Sequence, residues 1–114
     1  MKSITIKDID ITGGFWNYRQ TLNKEVTAGT VYDRFKETGR FDALKCDIKS
    51  SISPHIYWDS DVAKWIEGVA YLVANDRKKY QSLVDFCNDM IDAMCENQRE
   101  DGYFNSYFQQ KEPT

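Results

Sequence analysis

The chain has 114 residues, 41% of them hydrophobic and 29% charged, a globular balance that argues against disorder and leaves room for one small domain rather than a conventional multidomain enzyme. With 15 basic and 18 acidic residues the formal net charge is -3, so no cationic surplus exists to grip a phosphate backbone, and nucleic acid is not an expected partner. No apolar run approaches the roughly 20 residues that span a bilayer, and the opening MKSITIKDID has no apolar stretch after its first lysine, so neither a membrane span nor a secretory signal is expected.

Residues 1–14 read as a short strand and a turn. Ile4, Ile6, Ile9 and Ile11 mostly alternate with polar residues, and Gly13-Gly14 ends the pattern. Residues 15–114 read as helical, in one unit with the first segment. Between Phe15 and Thr38, Leu22, Val26, Val31 and Phe35 recur at helical steps, loosening around Gly29. Gly39 suits the left-handed position that closes a helix. Residues 41–47 hold a further helical turn or two. Residues 48–58 form a loop in which Pro54 disfavours helix at Ser53.

A new helix is expected from Asp59-Ser60-Asp61 to Ala74. Side-chain oxygens at its start can accept from the free N–H groups of the first turn, and their charge suits the positive end of the helix dipole. Val62, Ala63, Trp65, Ile66, Val69, Ala70, Leu72 and Val73 cover most of its circumference, leaving Lys64, Glu67 and Tyr71 as a polar strip. A helix apolar nearly all round is normally buried in something larger. Asn75-Asp76 then makes a tight link to a second helix, with Tyr80, Leu83, Val84, Cys87, Met90, Ile91, Met94 and Cys95 on one side and Asp85, Asp89, Asp92 and Glu96 on the other. The acidic row reads as a solvated face. The pair reads as an inner and an outer helix joined in an αα-hairpin, so the expected fold class is mainly α with a short N-terminal β-strand.

Two polar clusters could carry function. In Trp58-Asp59-Ser60-Asp61, followed by Trp65, two carboxylates and a hydroxyl stand beside indoles, a set that could bind sugar hydroxyls; the plainer reading is a well-capped helix start. Asp59 and Asp61 are too close in sequence to straddle a glycosidic bond from opposite faces. In the stretch from Gln98 to Phe108, Asp101-Gly102-Tyr103 and the aromatic–polar alternation after it suit a loop at the rim of a cleft, or a helix-ending turn whose aromatics fold onto the core. The 14% aromatic content fits either a filled core or a carbohydrate cleft. His55, the only histidine, reads as a loop residue without a catalytic role. Cys46, Cys87 and Cys95 form neither a disulfide framework nor a metal knuckle, and read as reduced core thiols of a cytoplasmic protein. Cys87 and Cys95 would lie two helical turns apart, about 12 Å along the axis, too far to share one zinc ion.

Several of these stretches, in this order, resemble the N-terminal part of glycoside hydrolase family 127, the β-L-arabinofuranosidase-like proteins. They are Phe15-Trp16, Asn23-Lys24-Glu25-Val26-Thr27, Thr38-Gly39-Arg40, the run from Asp59 to Glu67 with Ala70-Tyr71, and Gln98 with the run from Asp101 to Phe108. The resemblance implies part of an (α/α)6 barrel of alternating inner and outer helices. It implies hydrolysis of terminal L-arabinofuranosides with retention in a longer parent enzyme. There a cysteine nucleophile sits on zinc with further cysteines and a glutamate, and another glutamate is the acid/base. Those groups lie beyond the region matched, so no catalytic residue, zinc ligand or other cofactor is expected in this chain, and it is expected to be inactive alone. What carries over is a candidate cleft wall, from Trp58, Asp59, Ser60, Asp61 and Trp65 to Asp101, Gly102 and Tyr103. An N-terminal fragment of such a barrel would expose apolar helix surface, so self-association is expected. The alternatives are a stand-alone helical self-association module and a carbohydrate-binding module.

Overall fold

A computed structural model describes residues 2–113; Met1 and Thr114, the two ends of the expected unit, lie outside the described residues. Helices make up the architecture, and no strand occurs among the described residues. The expected N-terminal strand is therefore corrected to an irregular segment with one 3-10 turn at Ile6–Asp8. A lone alternating segment has no ladder partner and gains nothing from an extended form. The Asp8 carboxylate instead accepts from the Thr5 backbone N–H at 3.1 Å and from the Thr5 hydroxyl at 2.8 Å, which closes the turn. Ile4, Ile6 and Ile9 are exposed.

Helices α1 (Gly14–Leu22) and α2 (Ala28–Glu37) form one rod through a π-helical turn at Asn23–Thr27. The rod stops at Gly39, whose φ of +83° lies in the left-handed region, and an added Cβ there would stand 3.2 Å from the Ile52 side chain. Both the backbone conformation and the close approach of the 48–57 loop select glycine. A single turn, α3 (Arg40–Ala43), follows and delivers Phe41, Ala43 and the fully enclosed Leu44 to the interior.

Helix α4 (Trp58–Val73) and helix α5 (Gln81–Asn97) make the expected hairpin. The link runs through residues 74–80 rather than through Asn75-Asp76 alone: Asp76 N–H bonds to Val73 O and Tyr80 N–H to Asp76 O, making two successive turns before α5 begins. Val62, Trp65, Val69 and Val73 are the buried face of α4, at helical spacing. Ala63, Ala70 and Tyr71 are exposed, and Ile66 and Leu72 half-buried, so the described chain covers only one side of this apolar helix. On α5, Leu83, Val84 and Cys87 face inward, while Asp85, Asp89, Asp92 and Glu96 are exposed as expected.

One buried cluster joins Ala28, Trp65, Val69, Val73, Leu83, Val84 and Cys87; a second joins Phe41, Leu44 and Val62. Tyr32, Phe35 and Ile66 pack against both. Tyr32 stacks on Phe86 with ring centroids 4.0 Å apart and lies 4.9 Å from Phe41, so much of the aromatic content is core. A short helix, α6 (Ser106–Lys111), follows the turn at Gly102 and buries Ser106 and Gln110.

Candidate functional site

The first cluster sits in the opening turn of α4, but its side chains do not cap that helix. Asp59 reaches α6 instead, where its carboxylate accepts from the Ser106 backbone N–H at 2.7 Å and from the Ser106 hydroxyl at 2.5 Å. Asp61 pairs with Arg40 Nε at 3.2 Å. The Ser60 hydroxyl donates back to Tyr57 O at 2.8 Å. Arg40 is the hub on this side of the fold: its guanidinium carbon lies 5.0 Å from the Trp58 ring centroid and 5.1 Å from that of Phe35, and Nη1 donates to the Thr38 hydroxyl at 2.7 Å. Cation–π contact and ion pairing fix the guanidinium plane, which in turn fixes the half-buried Trp58 face.

Trp65 lies elsewhere. It is 8% exposed, and its indole N–H donates to Ala28 O at 3.0 Å, so this residue belongs to the core and not to a cleft wall. The reason is helical geometry. Trp58 and Trp65 lie on nearly the same side of α4 but two turns, about 10 Å, apart along its axis: Trp65 packs at the level of Val62 and Val69, whereas Trp58 opens the helix.

The second cluster is a self-contained turn. Gly102 adopts φ +85°, Asp101 accepts from Tyr103 N–H at 2.9 Å, and Arg99 N–H donates to Tyr103 O at 2.9 Å. Gln98 Nε2 donates to Gly102 O at 2.6 Å, and the Arg99 guanidinium lies 5.4 Å from the Tyr103 ring centroid. Asp101, Gly102 and Tyr103 are exposed. The two clusters are joined by the Asp59–Ser106 bonds, which tie the starts of α4 and α6, and not by contact between the named aspartates. Ser106 and Arg40 were not singled out as site residues from the sequence. Both partners lie far along the chain, and no local spacing announces them.

With both carboxylate oxygens of Asp59 taken by Ser106 and Asp61 paired to Arg40, the cluster supplies no carboxylate pair for glycosidic acid/base chemistry. It supplies an indole face, a hydroxyl and fixed charge. Among the described residues no three His, Cys, Asp or Glu side chains converge on a metal position. The three thiols are free and differently placed: Cys87 buried, Cys46 half-buried and Cys95 exposed, which corrects the expectation of three core thiols. Cys95, eight residues after the buried Cys87, lies about 80° further round α5 and faces outward beside Glu96.

Burial pushes the Cys87 thiol up to about 11. An unfolded thiol ionises near 8.5. The folded chain therefore keeps this proton after the unfolded chain has lost it. Its contribution is fully present below pH ~8.5 and declines as pH rises toward ~11. Urea midpoints should fall between pH 8 and pH 10.5, and Cys87→Ala should show a shallower fall; equal slopes would assign the alkaline loss to other groups.

A family model described as "Beta-L-arabinofuranosidase, GH127 catalytic domain" matches residues 8–114. Neither the curated proteins nor the solved structures contain a match.

Proposed function

We propose that this chain, which belongs to the β-L-arabinofuranosidase-like glycoside hydrolase family 127 by a match over residues 8–114, is the N-terminal part of a helical catalytic domain that hydrolyses terminal L-arabinofuranosides. The match together with the all-helical hairpin supports this reading, since an inner and an outer helix are the repeating unit of an (α/α)6 barrel. In that setting α4 is an inner helix and α6 opens the next one. The Asp59–Ser106 bonds hold their starts side by side, which is where loops that line a cleft would meet. Trp58, Ser60 and Asp61, with the exposed turn Asp101-Gly102-Tyr103, form part of the wall, and Asp59 organises it from behind.

The nucleophile, zinc ligands and acid/base are assigned to a longer protein, so the chain alone should not turn over. Release of arabinose from a chromogenic β-L-arabinofuranoside should be absent with this chain and present with the extended protein. Zinc-dependent release by the chain alone would overturn the assignment. Three free thiols support a reducing, cytoplasmic setting. No helix among the described residues is long and apolar enough to cross a membrane.

One observation favours self-association as a second reading. A groove of about 340 Å³ runs between α4 and α5, lined by Ile66, Val69, Ala70, Val73, Val84 and Ile91 among others. Phe15, Trp16 and Tyr18 on α1 are also more than half exposed. Exposed apolar side chains of this kind are where a second copy of the chain would make contact. Sedimentation equilibrium should give dimers or larger species, and a monomer at high micromolar concentration would remove this reading.

A further inference from the structure

The groove between α4 and α5 is apolar along its length and carries opposite charge at its two ends. Its apolar lining comes from Ile66, Val69, Ala70 and Val73 on α4 and from Val84 and Ile91 on α5. Where the link joins the two helices, Lys7 and Arg77 border it. Asn75 Nδ2 donates to Ile9 O at 3.3 Å, which holds the N-terminal segment with its Lys7 turn at this end. Lys78 stands next to Arg77 in the same link, so the end is basic.

The opposite end is acidic. Asp92 and Glu96 lie in the closing turns of α5, both exposed. They follow Ile91 by one and five positions, about 100° and 140° further round the helix, which sets them on the outer lip of the groove. Earlier in the acidic row, Asp85 is already held by the Gln81 amide at 2.8 Å. Glu96 lies about 22 Å along the axis from Gln81. That is about twice the ~10 Å over which salt screens a charge. The two ends therefore do not neutralise each other within one molecule. Lys7, Arg77, Lys78, Asp92 and Glu96 make no ion pair among the described residues.

A surface that is apolar in the middle, basic at one end and acidic at the other is complementary to itself when turned end for end. A two-fold axis across the groove lays the α5 helices of two copies antiparallel, with apolar lining on apolar lining. Each basic end then meets an acidic end, and the contact is made twice in a closed interface. Head-to-tail joining of the same ends would leave the grooves open and build chains without limit. We propose that this groove is a dimer interface, occupied by a second copy of the chain in antiparallel orientation, with Lys7 and Arg77 of each copy against Asp92 and Glu96 of the other. This rests on the self-association reading above and gives it a site, an orientation and a stoichiometry.

Sedimentation equilibrium on the full chain should fit monomer and dimer with no larger species. Arg77→Glu sets acid against acid at both contacts, and Asp92→Lys combined with Glu96→Lys sets base against base. All three positions are exposed, and circular dichroism checks that the helices persist. Each variant alone should dimerise at least about tenfold more weakly at low salt, because every dimer carries two inverted contacts. An equimolar mixture of the two should recover the parent affinity, since both contacts in the mixed dimer again join opposite charges. A parent chain that associates while both variants match it, or while the mixture is no tighter than either variant, overturns the interface and leaves self-association standing. A parent chain that stays monomeric at high micromolar concentration overturns both. Should a variant lose its helices, the salt dependence of the parent decides: its dissociation constant should rise at least about fivefold between about 20 mM and about 0.5 M salt, and a constant that does not rise overturns the interface.

Discussion

Trp65→Ala should lower folding stability by about 3–5 kcal/mol, the range for deleting a large buried aromatic. The ring stands between two buried clusters: it belongs to the one built on Val69, Val73, Leu83 and Val84, and it lies 5.7 Å from Tyr32 and 6.2 Å from Phe41, which joins the other. Its removal would leave a void where α2, α3 and α4 meet. Ala28 O would also lose its indole donor. Domains of this size are typically stable by only about 5–15 kcal/mol, so the variant should lose a large share of its stability and unfold at a much lower urea concentration. Trp65→Phe separates the two effects. It keeps most of the ring and removes the N–H, and should cost about 1–2 kcal/mol. Urea titration followed by circular dichroism measures both. A Trp65→Ala cost below about 1 kcal/mol would mean that the α4 face is not the centre of the core.

That face was legible before any coordinates. Val62, Trp65, Val69 and Val73 repeat at three- and four-residue steps, as do Leu83, Val84 and Cys87, and burial follows the period. Gly39 was legible for the same kind of reason, because a helix end constrains the backbone locally. What sequence pattern could not supply was pairing at a distance. The isoleucines of residues 4–11 alternate as a strand does, but a strand needs a neighbour and none is present among the described residues. Asp59 and Asp61 look like caps because capping is a local rule, yet their partners are Ser106 and Arg40, far away in the chain and joined only once the hairpin has formed. Trp65 was grouped with Trp58 by nearness in sequence, but the two stand two turns, about 10 Å, apart along α4, and only Trp65 reaches the level of the core. Family resemblance reached the chain as a whole through its motif order, and the family match covers the same ground.

Asp59→Ala should cost about 2–4 kcal/mol, more than an ordinary change at the mouth of a helix. Two charge-assisted bonds would be lost at once, each worth about 1.5–3 kcal/mol in other proteins. Ser106 is fully enclosed, so its N–H and hydroxyl would be left without the carboxylate they now share. Asp59→Asn keeps the size and one carbonyl oxygen, and the Ser106 hydroxyl can rotate to accept from the new amide; that variant should cost about 1 kcal/mol. Because the bond is one unit, Ser106→Ala should add little on top of Asp59→Ala, giving a coupling of about 1–2 kcal/mol in a double-mutant cycle. Capping of its own helix would predict something different: the Asp59→Ala cost would be additive with Ser106→Ala, and α6 would be untouched. Amide hydrogen exchange distinguishes the two. Loss of the clamp should release protection across residues 106–111 while the α4–α5 hairpin keeps its own.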